Sequence, residues 1–202
     1  MSKEALNDEI LIVDLESTCW DNDQPADQTS DIIEIGVAHL NRKTLQVTNN
    51  WTVKVIPTRS TITPFSERLN GITVEDIKLV GVPLAEAFSC LVTAKSRQRT
   101  WASYGNYDRR KIDEDARTFR LRYPMSPRHI NVKTLLAVVL DLPREIGMDE
   151  ALKLLGLPLM GRHHSGKDDA FNIAKILGWI LAATRSTLIK TIAGDGSIKY
   201  AP

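Results

Sequence analysis

Asp14 and Glu16 stand two positions apart at the end of the apolar, β-branched run Ile10–Leu15 (ILIVDL). Side chains at i and i+2 of a strand point to one face of a sheet, so this spacing predicts two carboxylates converging on one side. Like charges close together in an apolar setting raise each other's pKa, and a divalent cation between them relieves the repulsion. The alternative ends the strand at Leu15 and leaves both acids facing solvent or capping a loop, since short acidic pairs are common.

Two further segments offer partners. Gly161-Arg-His-His-Ser-Gly-Lys-Asp-Asp-Ala-Phe-Asn172 sets two histidines and two aspartates around a glycine, just before a long apolar stretch. The bland reading makes Asp168 and Asp169 ordinary first-turn charges that complement the helix macrodipole, and one of them is granted that role. Asp169 and Asn172, three apart, share a helix face, whereas Asp168 is rotated away by about 100°. His163 and His164 flank a glycine-hinged turn from which an imidazole, with an unperturbed pKa of about 6.5, can take a proton from water. His39 and His129 lack such a setting and read as structural. In Ser103-Tyr-Gly-Asn-Tyr-Asp108, a turn joins a strand to a helix, and Asp108 at the helix start is either an N-cap or a functional side chain.

The elements that must hold these residues follow from pattern. Ile10–Leu15 reads as a central buried strand. Ile32–Leu40 and Val47–Ile56, joined by Asn41-Arg42-Lys43-Thr44, extend it as an antiparallel meander. Thr63-Pro64-Phe65 opens a short helix that Gly71 closes, and Thr73–Glu75 caps another. A longer helix begins near Pro83 and buries Ala87, Phe88 and Leu91. Thr100–Tyr104 reads as a fourth strand and Asp108–Arg122 as an amphipathic helix. A brief strand at His129–Val132, helices over Thr134–Leu140 and Met148–Leu155, and a final helix from Lys167 to Thr184 follow. A meander followed by strands alternating with helices implies an α/β sandwich around one mixed sheet. The tail Ile189–Pro202 reads as a small hairpin or partly disordered.

Together, Asp14-Leu-Glu16, Asp108 and His164-Ser-Gly-Lys-Asp-Asp169 resemble the three motifs of the DEDDh branch of the DnaQ-like exonuclease superfamily. Asp14-Leu-Glu-Ser-Thr-Cys-Trp20, Phe65-Ser-Glu-Arg-Leu-Asn-Gly-Ile-Thr73 and His164–Ala174 are similar to the Eri and Snipper type. The resemblance implies a ribonuclease H-like fold, a mixed five-stranded sheet flanked by helices, over residues 10–186, with an extension before it and a tail of 187–202. It implies a 3′ to 5′ exonuclease that releases nucleoside 5′-monophosphates from single-stranded RNA or DNA with a free 3′ end. Asp14, Glu16, Asp108 and Asp169 would hold two Mg²⁺ or Mn²⁺ ions, and His164 would be the general base. His163 also precedes an acid, Asp168, by five residues. The family spacing selects His164 with Asp169 and makes His163 and Asp168 flanking residues. By the same resemblance Ser17, Thr18, Leu69 and Asn70 would line the terminal nucleotide. Trp20 could stack on a base or pack in the core.

Composition bounds the rest. The chain has 202 residues, 43% of them hydrophobic, enough for one substantial core. The 26 basic and 25 acidic residues leave a net charge of +1, so any phosphate-binding surface must be local. Arg109, Arg110, Lys111, Arg162 and Lys167 lie near the motifs and could guide a strand, although helix charges are commonly just solvated. No apolar run spans a bilayer and the first residues lack a signal-peptide pattern, so an intracellular, cytoplasmic protein is expected. Cys19 and Cys90 have no second cysteine at metal-ligand spacing and should be reduced thiols. The same acids would also serve an endonuclease, and a binding protein could retain the fold without turnover.

Overall fold

Residues 8–192 are described by the computed structural model. Their strands are β1 (Glu9–Ser17), β2 (Ile32–Asn41), β3 (Val47–Lys54), β4 (Trp101–Ser103) and β5 (His129–Asn131). They form one sheet in the order β3-β2-β1-β4-β5. β1–β2 and β2–β3 pair antiparallel, while β1–β4 and β4–β5 pair parallel. The meander and mixed sheet expected from the sequence are both present.

β1 sits at the centre because both of its faces are apolar. Ile10 and Ile12 join a core with Ile173, Ile176, Leu177 and Ile180. Leu11, Val13 and Leu15 join a second core with Ala87, Phe88, Leu91 and Ile112 on the other face. A strand buried on both sides must be a near-continuous hydrophobic run, and here the run is broken only at Asp14 and Glu16.

The helices among the described residues are α1 (Pro64–Asn70), α2 (Val74–Val80), α3 (Leu84–Thr93), α4 (Tyr107–Thr118), α5 (Val132–Val139), α6 (Met148–Leu154) and α7 (Gly166–Ile192). Thr63 caps α1 by accepting from the Ser66 amide, with Pro64 in the first turn and Gly71 in the left-handed conformation behind it. Thr73 and Asp76 form a capping box on α2.

Three boundaries differ from expectation. α4 stops at Thr118, earlier than Arg122, because Arg120 turns left-handed and the Leu121 amide bonds back to the Ala116 carbonyl. α5 starts at Val132 because Asn131 caps it by accepting from the Thr134 amide. α7 runs on past Thr184 to Ile192, since no glycine or proline interrupts residues 179–192. The hairpin reading of the tail falls mainly on residues 193–202, which lie outside the described residues. No helix among the described residues is long and apolar enough to cross a membrane.

Candidate active site

Alternation along β1 aims Asp14 and Glu16 at the α7 side of the sheet, continuing the face of Ile10 and Ile12. Between Glu16 and Ser17 the β1–β2 register shifts, a bulge that re-aims the strand end. On α7, Asp169 precedes the buried Ile173, Ile176, Leu177 and Ile180, so it stands at the head of the stripe that packs on the sheet. Asp108 lies in the first turn of α4, where its Oδ1 accepts from the Leu15 amide at 3.0 Å. One hydrogen bond thus ties the acid of α4 to the strand that bears the first two.

Carboxylate oxygens of Asp14, Glu16 and Asp169 lie within 4.8 Å of one another. Asp108 stands outside that trio but lines the same cavity of about 240 Å³, together with His163, His164, Leu15, Tyr104, Tyr107, Met148 and Ile173. Burial is the largest cause of raised carboxyl pKa values throughout the cluster. Asp14 is lifted well above the usual range by burial and then by Asp108, Glu16 and Asp169. Burial, Asp169 and Glu34 push Glu16 up to about 8, with Lys54 opposing. Asp108 rises to about 6, restrained by its backbone hydrogen bonds and by Ser103. Burial also raises Asp169, against the opposing pull of His163. A compact set of hard oxygen donors with unbalanced negative charge fits a hard divalent cation rather than a soft metal.

Both histidines reach Asp169, in different ways. His163 Nδ1 lies 3.2 Å from Asp169 Oδ2, whereas His164 donates its backbone amide to the same oxygen at 2.9 Å. The two rings stack with centroids 4.0 Å apart. His164 has a φ of 62°, a left-handed conformation that side chains rarely adopt. Burial and the His163 ring hold the His164 pKa below its ordinary value, leaving it neutral and able to accept a proton at neutral pH. Asp168 points elsewhere and accepts from the Arg162 amide at 2.9 Å, as its rotation on the helix implies.

Glu34 and Gly36 escaped the sequence reading. Glu34, opposite Glu16 in the ladder and 2% exposed, accepts from the Gly166 amide at 2.8 Å through Oε2. Its Oε1 accepts from Thr52 Oγ1 at 2.7 Å and Lys54 Nζ at 3.0 Å. Gly36, opposite Asp14, lets the start of α7 settle on β2: a Cβ there would stand 1.9 Å from the Gly166 carbonyl carbon and oxygen. An acid inside the run Ile32–Leu40 was the available signal, because a buried carboxylate demands a partner.

The proposed nucleotide contacts are dispersed. Ser17 Oγ accepts from Tyr107 at 3.0 Å, which puts it beside the cavity. Thr18 is buried, and its hydroxyl is engaged with Ser60 and the Asp31 amide. Asn70 is buried and bonded to Ser66 and Ile72. The Leu69 carbonyl accepts from Arg162. Trp20 is half-buried, and its indole N–H has no partner among the described residues. Among the basic residues, Lys111 is buried against Asp115 and the Ser30 carbonyl, and Arg162 braces the end of α1, so neither is free to guide a strand. His39 and His129 are structural, bonded to Glu9 and Ser103. Cys19 and Cys90 are both free thiols.

A family model described as exonuclease, RNase_T, matches residues 11–177. The 3′-5′ exoribonuclease 1 of Rattus norvegicus is 31% identical over 184 residues, which cover 84% of this chain and 52% of that protein. Its Homo sapiens counterpart is 27% identical over 180 residues, covering 84% and 51%. The chain therefore spans about half the length of these curated relatives. Among solved structures, a full-length 3′-exonuclease superposes with a TM-score of 0.79 at 26% identity, covering 88% of this chain and 83% of that one. The nuclease domain of 3′hExo, described as a DEDDh family member bound to rAMP, gives 0.79 at 25% identity, covering 88% and 93%. The sheet and its flanking helices are thus the ribonuclease H-like arrangement expected from the motifs.

Proposed function

Because the chain belongs to the RNase_T exonuclease family, we propose that it removes nucleotides one at a time from the 3′ end of single-stranded RNA, with DNA the second choice. The observation that carries this reading is the cavity in which Asp14, Glu16, Asp108 and Asp169 meet His164. Four acids from one strand and two helices, with burial raising every one of their pKa values, form a site that a polycationic centre would complete. Asp14, Glu16 and Asp169 would hold two Mg²⁺ or Mn²⁺ ions with Asp108. Such ions would supply charge neutralisation at the scissile phosphate, a more acidic water and stabilisation of the leaving 3′ oxygen.

The protein's own groups do the rest. The neutral His164 imidazole accepts the proton of the attacking water. The Leu15 amide fixes the Asp108 carboxylate, and the His164 amide fixes that of Asp169. Tyr107, with its hydroxyl on Ser17, forms part of the wall against which the terminal nucleotide would lie. The leaning toward RNA rests on relatives described as exoribonucleases.

Digestion of 5′-labelled single-stranded RNA and matched DNA with Mg²⁺, Mn²⁺ or EDTA tests the reading. A metal-dependent ladder shortening from the 3′ end, lost in Asp14→Ala and His164→Ala, is expected. Intact polymers in both metals, or cutting of circular strands, would overturn it.

A further inference from the structure

A second, larger groove of about 630 Å³ runs along α4, with walls that include Asn106, Arg109, Arg110, Asp113, Arg117 and Tyr123. We infer that this groove is a binding track for the sugar-phosphate backbone of the same nucleic-acid strand, upstream of the nucleotide being removed. The inference rests on the exonuclease reading for the identity of the strand.

Asn106, Arg110, Asp113 and Arg117 are spaced i, i+4, i+7 and i+11, which puts them on one stripe of α4 and its N-cap. The opposite stripe is buried and includes Asp108 of the acid cavity. One short helix therefore presents a catalytic acid on one side and cations on the other, and at its start Asn106 of the groove directly precedes Tyr107 and Asp108 of the acid cavity in the chain. Over residues 107–128, exposed basic side chains outnumber unburied acidic ones by six to two. In a chain of net charge +1, that is a local positive surface.

Ordinary helix charges find acids one turn away, and Arg117 does so, with Asp113 at 2.8 Å. Neither Arg109 nor Arg110 has a hydrogen-bonded or ion-paired acid among the described residues. Both occupy the first turn of α4, where a cation opposes the helix dipole. Placing two unpaired arginines there works against the helix and in favour of an anion. Tyr123, half-buried, gives the groove an aromatic side on which a base can stack without regard to sequence. From Arg109 to Arg117 the helix rises about 12 Å. At about 3.4 Å per nucleotide of stacked strand, roughly three to four nucleotides would lie along it.

The test measures binding by fluorescence anisotropy of 5′-labelled strands of about 2 and about 12 nucleotides, in EDTA, over a series of salt concentrations. Wild type is compared with the triple variant R109A/R110A/R117A, the charge-keeping R109K/R110K/R117K, and a control, R144A/K153A. Arg144 and Lys153 are exposed and paired with Glu150 and Asp149. The alanine triple should bind the longer strand at least about tenfold more weakly, with a log–log salt slope shallower by about 2, from about 0.7 per lost phosphate contact. The shorter strand should lose much less, the lysine triple should keep most of the slope, and the control should match wild type. An unchanged slope and affinity for the longer strand in the alanine triple would overturn the track, as would an equal loss in the control. The two readings fail separately. Length-dependent binding without digestion sinks the exonuclease and spares the groove, and digestion with length-independent binding does the reverse.

Discussion

Asp169 is gripped by two neighbours, and the manner of each grip separates their roles. His163 spends its ring on the carboxylate, whereas His164 offers its backbone amide and leaves its own ring unbonded but stacked in the cavity. A ring that must take a proton cannot also be committed to an acid. Hence His164→Ala should lower kcat by about 10²- to 10⁴-fold with little change in KM. His163→Ala should lower it by less than about tenfold, much as for a flanking residue. Single-turnover digestion of one RNA by both variants reads the difference; a larger loss in His163→Ala would reverse the assignment, and equal losses would abolish the distinction. Asp14, Glu16 and Asp169 share one cavity as the local rules of strand parity and the 100° helical step imply, whereas Asp108, open to an N-cap reading, was singled out by the motif resemblance. The partners of Thr18, Asn70, Lys111 and Arg162 could not be read from the sequence. Their side chains are committed to partners such as Ser60, Ser66, Ser30 and the α1 carbonyls, which only the folded chain brings near.

At the scale of elements, the site depends on how closely α7 settles on β2, and two residues of β2 set that distance. Gly36 removes the side chain that would strike Gly166, and Glu34 receives the Gly166 amide. Gly36→Ala should therefore lift the start of α7 and carry Asp169 away from Asp14 and Glu16. Overpacking of this kind costs about 1–3 kcal/mol, which calorimetry should show as a Tm lower by roughly 3–10 °C. Gly147→Ala, where a Cβ meets nothing within 4 Å, is the matched control. Glu34→Ala leaves the Gly166 amide and Lys54 without their partner. It should weaken Mn²⁺ binding by about 10- to 100-fold, measured by titration calorimetry. An unaltered Mn²⁺ affinity would show that α7 is positioned without Glu34. Strands, helices and their order were readable from periodicity and caps, but this contact joins residues 132 positions apart and leaves no local pattern. Only the charge buried in an apolar strand hinted at it.

For the molecule as a whole, the unbalanced acids are a reservoir of instability that a cation should discharge. Glu16 moves from an ordinary 4.5 to about 8 and Asp108 from 3.8 to about 6, both because burial disfavours the charged form. Between those limits the folded protein holds protons that the unfolded chain has released. Folding is then linked to proton uptake, and stability falls as pH rises through the window. The metal-free Tm should accordingly decline from about pH 5 to about pH 8, with Glu16 governing the upper part. Asp14→Asn removes one of the repelling charges, so it should raise the metal-free Tm, flatten the decline and abolish digestion, a trade of stability against activity at the site. A divalent cation takes the place of the protons, and its stabilisation should grow across the same window. At about 100 times its dissociation constant it adds about 2.7 kcal/mol, or roughly 5–10 °C for a chain of this size. Thermal melts in EDTA and in Mn²⁺ at about pH 5.5 and about pH 8.5 would test both signs. A Tm that ignores pH in EDTA, or a cation effect larger at the acidic end, would mean that the acids are already balanced within the fold and do not await a metal.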